Sequence, residues 1–138
     1  MGRFSEAGRI YLITAVCAGR RLRFGALYEG RCFVRALWEV EASTLCYVVM
    51  PDHVHWLMQL EEGHELSAVV QKVKSLTTRA LRERCGAEGR IWQPGFHDRA
   101  LRREEDLRDV ARYVVANPLR AGIASSLREY SLWDAIWL

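Results

Sequence analysis

The chain lacks most of the marks that would place it in a membrane or outside the cell. No apolar run in it approaches the roughly 20 residues needed to span a bilayer. Its first residues, Met1-Gly2-Arg3-Phe4-Ser5-Glu6, contain neither the unbroken apolar stretch nor the small-residue cleavage site of a signal peptide. Glu6 also stands where an N-myristoylation motif needs Ser or Thr. The four cysteines, Cys17, Cys32, Cys46 and Cys85, are widely spaced and form no Cys-x-x-Cys pair. They read as small buried hydrophobes rather than as disulfides or zinc ligands. Repeats, low-complexity segments and linkers are all missing. Net charge is only +3, which permits a nucleic-acid partner without arguing for one. These absences lead us to expect a cytoplasmic protein with no membrane partner.

What is there suits a single domain. At 138 residues, half of them hydrophobic, the chain can bury a proper core. Arg9 to Ala18 is apolar and β-branched, and reads as a central strand followed by the basic loop Arg20-Arg21-Leu22-Arg23. A helix fits Leu27 to Glu41, with Phe33, Leu37 and Val40 on one face. Tyr47 to Leu60 reads as two strands joined by a turn at Met50-Pro51-Asp52. A long amphipathic helix follows from about Glu65 to Arg84. Its apolar stripe is Leu66, Val69, Val70, Val73, Leu76, Ala80 and Leu81. Lys72, Ser75, Arg79 and Arg82 repeat on another side, with Lys74 and Arg84 nearby, and alone they read as a solvated face. A short strand is expected from Phe96 to Arg102, then a last helix from Glu104 to Asn117, ended by Pro118. The order strand, helix, strand, strand, helix, strand, helix predicts an α+β, ferredoxin-like, four-stranded antiparallel sheet (βαββαβ) with helices on one face, plus a C-terminal helix. The core spans about 8–122. The apolar tail, 123–138, with Leu127, Tyr130, Leu132, Trp133, Ile136 and Trp137, should pack on the body or on a second copy.

Three features carry chemistry. His53 and His55 alternate with Val54 at the start of a strand, so both imidazoles leave the sheet on one side, as half of a divalent-metal site would. The bland alternative is two polar residues on an exposed sheet face. Tyr113 and Asn117 fall off the apolar stripe of the last helix (Leu107, Val110, Ala111, Val114, Val115), four residues apart and so on one face. An exposed Tyr is common. Beside a metal it could instead be a phenol nucleophile that attacks a phosphodiester, with the Asn117 amide as an oxygen ligand. Two His and one amide leave positions open for substrate on Mg²⁺ or Mn²⁺. Finally, the segment from Arg90 to Arg99 interleaves Trp92 and Phe96 with Arg and His, as single-strand binders do, although both rings could equally plug the core. His64 reads as a solvent residue. His97 is a weaker candidate for approaching metal or phosphate.

Three pieces of sequence together resemble the single-tyrosine HUH transposases, and within them the REP-associated tyrosine transposases. They are Tyr47-Val48-Val49-Met50-Pro51-Asp52-His53-Val54-His55, Trp92-Gln93-Pro94-Gly95-Phe96-His97-Asp98-Arg99, and the run from Ala111 through Tyr113, Asn117 and Pro118 to Gly122. The resemblance covers nearly the whole chain up to Gly122. It implies that His53 and His55 bind the metal, that Asn117 is the third ligand, where related insertion-sequence enzymes carry Gln, and that Tyr113 is the nucleophile. The implied reaction is cleavage and rejoining of single-stranded DNA through a 5′-phosphotyrosine, addressed by hairpins in palindromic repeats. On this reading Arg20, Arg21, Arg23, Lys72, Lys74, Arg79, Arg82 and Arg99 become DNA contacts, and Trp92 and Phe96 stacking candidates. The protein would be nucleoid-associated when DNA-bound, and a monomer or a homodimer. Two other readings compete. One is a hairpin-binding module without chemistry, and the other a hydrolase whose metal activates water.

Overall fold

The computed structural model describes residues 9–101, 104–120 and 133–135. The tail positions Leu127, Tyr130, Leu132, Ile136 and Trp137, and the expected end of the fourth strand at Arg102, lie outside them. The elements are β1 (Ile10–Val16), α1 (Leu27–Leu37), β2 (Ala42–Val49), β3 (His53–Leu60), α2 (Leu66–Cys85), β4 (His97–Leu101), α3 (Glu104–Val115), α4 (Asn117–Arg120) and β5 (Trp133–Ala135). The strands form one antiparallel sheet in the order β4-β1-β3-β2-β5. Its first four strands are the ferredoxin-like core. The fifth was not expected: Trp133–Ala135 pairs with Cys46, Tyr47 and Val48 along the outer edge of β2.

Strand alternation sorts the side chains onto two faces. Tyr11, Ile13 and Ala15 of β1, Val49 of β2, and Val54, Trp56, Met58 and Leu60 of β3 pack with α1 and α2 in one core. Phe33 and Leu37 of α1 and Leu66, Val69, Val70, Val73 and Leu81 of α2 complete it. Cys46, Val48, Met50, Leu57 and Leu101 point the other way and are covered by Leu107, Val110, Ala111, Val114 and Val115 of α3. The last helix therefore lies across the sheet from the first two, and this placement decides where chemistry can occur.

Helix ends follow local rules. α1 stops at Leu37, earlier than the expected Glu41, so Val40 packs against the core from beyond the helix. α2 ends where Gly86 takes a left-handed φ of 66°, a conformation glycine adopts without steric cost. Among the described residues, no helix is long and apolar enough to cross a membrane.

Candidate active site

His53 opens β3 directly after the Pro51-Asp52 turn, and His55 follows two positions on. Both share the face of Leu57, the one that α3 covers. Their ring centroids are 4.9 Å apart with the planes at 82°. Nδ1 of His53 lies 2.7 Å from Oδ1 of Asp52, and Nη1 of Arg20 donates to Oδ2 of the same carboxylate at 3.1 Å. Nδ1 of His55 lies 2.9 Å from Oγ1 of Thr14, its cross-strand partner on β1. Burial pushes the Asp52 carboxyl up, but the hydrogen bonds and charges of His53 and Arg20 outweigh it and hold the group below its ordinary value.

The pairing register extends this polar row. His97 of β4 stands opposite Thr14, and Arg99 opposite Leu12. Leu101, two residues further, faces α3, so His97 and Arg99 share the side of His55 by alternation. Both are exposed.

Tyr113 sits on the outer side of α3 and is 63% exposed, while the neighbouring Val110, Ala111 and Val114 are buried. Asn117 corrects one expectation. α3 ends at Val115 rather than reaching Asn117, which instead opens α4 as a half-buried residue. Pro118 has no N–H to give to the carbonyl one turn back, so the ladder stops after Ala116 donates to Arg112 at 3.1 Å. Tyr113 and Asn117 therefore belong to successive helices rather than to one.

The donor set on this face suits a divalent metal. Metal-ligating histidines commonly give one ring nitrogen to a hydrogen-bond partner while the other coordinates, and here both Nδ1 atoms are engaged. Among the described residues no cluster of three or more His, Cys, Asp or Glu forms.

The expected DNA contacts divide sharply. Arg20 and Arg21 are exposed near the Asp52 turn, and Arg99 is exposed on β4. Arg79 and Arg82 line a groove of about 910 Å³ between α2 and the segment 90–95, together with Gln71, Ser75, Thr78 and Arg90. This groove lies beside α2, across the sheet from the histidines. Lys72 faces solvent but is paired with Glu41 at 3.3 Å.

Burial corrects two of these expectations, Lys74 and Trp92, and Arg23 is partly engaged. Lys74 is 7% exposed, its Nζ donating to the carbonyls of Gln93 at 3.0 Å and Gly95 at 2.7 Å. Trp92 is buried against Phe24 and Phe33, and its Nε1 donates to the Lys74 carbonyl at 3.2 Å. Arg23 ties Nη2 to the carbonyls of Glu88 and Arg90, at 2.7 and 3.4 Å, stapling two loops together. Lys74 thus spends its ammonium on main-chain carbonyls and Trp92 its ring on the core, while Arg23 commits one guanidinium nitrogen to backbone. Phe96 likewise packs against the core. Reading the sequence assigned no role to Thr14, and to Asp52 only that of a turn former. A polar residue inside an apolar strand, and a carboxylate abutting a histidine, were the available signals.

A ferredoxin-like sheet with paired, oriented imidazoles and an exposed tyrosine helix over one face defines a compact class of proteins. Residues 31–117, from α1 through Asn117, match the family described as Transposase IS200 like, and the chain belongs to that family. The REP-associated tyrosine transposase of Escherichia coli K12 is 32% identical over 85 residues, covering 61% of this chain. A relative in Haemophilus influenzae is 29% identical over 98 residues, 64% of this chain. The chain spans about half the length of these relatives, 48% and 56% respectively. Among solved structures, a REP-associated tyrosine transposase bound to a REP hairpin superposes with a TM-score of 0.78. The match covers 96% of this chain and 80% of that one at 23% identity, a likeness of fold.

Proposed function

We propose that this chain nicks and rejoins single-stranded DNA next to hairpins, using Tyr113 as nucleophile. The phenol oxygen of Tyr113 attacks a backbone phosphorus. An O–P bond to tyrosine forms as the bond from phosphorus to the 3′ oxygen breaks, and the phenol proton ends on that oxygen. The products are a 5′-phosphotyrosine and a free 3′-hydroxyl. Attack by another 3′-hydroxyl reverses the step and joins the strands. His53 and His55, with Asn117 as third ligand, would hold Mg²⁺ or Mn²⁺. Bound there, the ion would neutralise charge building up on the phosphate. The chain's own residues orient the rings through Asp52 and Thr14 and carry the phenol on a rigid helix.

The observation that supports this reading best is the sharing of one sheet face. The two imidazoles and the helix bearing an exposed Tyr113 lie on the same side, away from the α1/α2 core. Hairpin recognition is supported separately by the groove beside α2, where the Arg79 guanidinium and the donors of Arg82 not given to the Gly89 carbonyl suit phosphate. One groove would hold the address while the opposite face performs the cut.

The test is a gel assay with labelled hairpin DNA carrying a single-stranded flank, in Mn²⁺ or in chelator. Wild type should form a metal-dependent covalent adduct, and Tyr113→Phe none. Cleavage that persists in Tyr113→Phe would instead identify a water-using hydrolase, and binding without adduct or cleavage a recognition module.

A further inference from the structure

The two histidines are alike in sequence, yet they are held by unlike partners. An ionised carboxylate only accepts hydrogen bonds, so Asp52 Oδ1 at 2.7 Å requires the proton of His53 on Nδ1 and leaves the lone pair on Nε2. This is the reverse of the tautomer that free histidine favours in water. The Asp52 turn is itself clamped. Its carbonyl accepts from the Cys17 amide at 2.9 Å, the Pro51 carbonyl accepts from Phe24 at 3.0 Å, and Arg20 holds the second carboxylate oxygen. Arg20 reaches back because Gly19 and Arg20 take successive left-handed φ values of 62° and 52°. For a non-glycine residue that conformation is uncommon. Nδ1 of His55 meets instead the neutral hydroxyl of Thr14, which can donate as well as accept.

We propose that Arg20 and Asp52 form a positioning relay that fixes His53 as the stronger donor of the pair, while Thr14 holds His55 as the weaker one. The inference rests on the metal reading of these histidines. A hydrogen bond to a carboxylate raises the basicity of the ligating nitrogen and fixes the ring, whereas a hydroxyl does so less. The site is thus asymmetric, set mainly through the 50–53 turn.

The experiment measures Mn²⁺ affinity by titration calorimetry on the whole chain. It also reads the ring tautomers of the metal-free protein by nitrogen NMR. Asp52→Ala should weaken Mn²⁺ about 10- to 100-fold. Asp52→Asn keeps an accepting oxygen without the charge, and it should recover part of that loss. Thr14→Val should lose less than Asp52→Ala. In wild type, His53 should carry its proton on Nδ1, and Asp52→Ala should shift that population toward Nε2, which a merely structural role for Asp52 would not do. Equal Mn²⁺ affinity in wild type and Asp52→Ala, or a larger loss in Thr14→Val, would overturn the relay while leaving the metal reading intact. No Mn²⁺ binding by folded wild type would overturn the metal reading, and the relay with it. Should Asp52→Ala fail to fold, Asp52→Asn decides the matter through the same two readouts.

Discussion

On the α3 face, His53 and His55 stay partly exposed and each gives one nitrogen to a short-side-chain partner. On the α1/α2 face, Lys74 and Trp92 are buried, with the ammonium and the indole N–H directed onto backbone carbonyls. In sequence both places pair polar groups with apolar ones, and both invite a functional reading. Solvent access and the type of partner separate them. A buried cation on main-chain carbonyls closes a loop, because leaving those carbonyls unpaired is costly. A part-exposed imidazole fixed on one side is oriented for something outside.

The contrast can be broken by substitution, the largest effects first. Trp92→Ala should lower unfolding free energy by about 3–5 kcal/mol, as large-to-small changes in a core do. Tyr113→Phe, at an exposed position, should change it by less than about 0.5 kcal/mol. Urea denaturation of the two variants checks this, and equal losses would dissolve the distinction between the faces. Lys74→Met keeps the aliphatic stem and deletes the donor, and should cost about 2–3 kcal/mol because two carbonyls lose a charged partner. Its affinity for hairpin DNA, measured on the folded fraction, should match wild type, since Nζ faces inward.

A further effect concerns pH. Burial pushes the Cys17 thiol up to about 11 from an ordinary 9. The folded chain therefore keeps this proton where the unfolded chain has lost it. The contribution is complete below pH 9 and fades as pH rises toward 11. Wild type should lose stability between pH 8 and about 10.5 by a slope that Cys17→Ala partly removes. Iodoacetamide should spare Cys17 in the folded chain at pH 8.

The ferredoxin-like order, the shared face of the histidines and the exposure of Tyr113 were legible because each depends on local periodicity. The burial of Lys74 was legible too. It lies four residues after Val70 and seven before Leu81, so it widens the buried stripe that Thr77 also joins. Its charge obscured that position. Other features were not readable, for a physical reason. Thr14 meets His55 through the register of β1 on β3, strands separated by a helix and another strand. Trp92 reaches the core through a bridge to Cys17, far away in sequence. Register between distant strands is decided by packing of the whole sheet, and no short window contains it. The break at Asn117 lay between the two cases: Pro118 announced a stop, but the missing N–H acts on the turn before it.

The fifth strand bears on the order of assembly. Trp133–Ala135 settles beside Cys46–Val48 from about ninety positions later in the chain. Contacts that close such long loops form late, because the loop's entropy is lost before the pairing returns anything. During synthesis the β2 edge would emerge and fold with its outer hydrogen-bonding groups open, ready to accept a strand from any neighbouring chain. Folding of this small sheet thus has a built-in waiting period, and crowding by copies of itself would be most harmful during that interval.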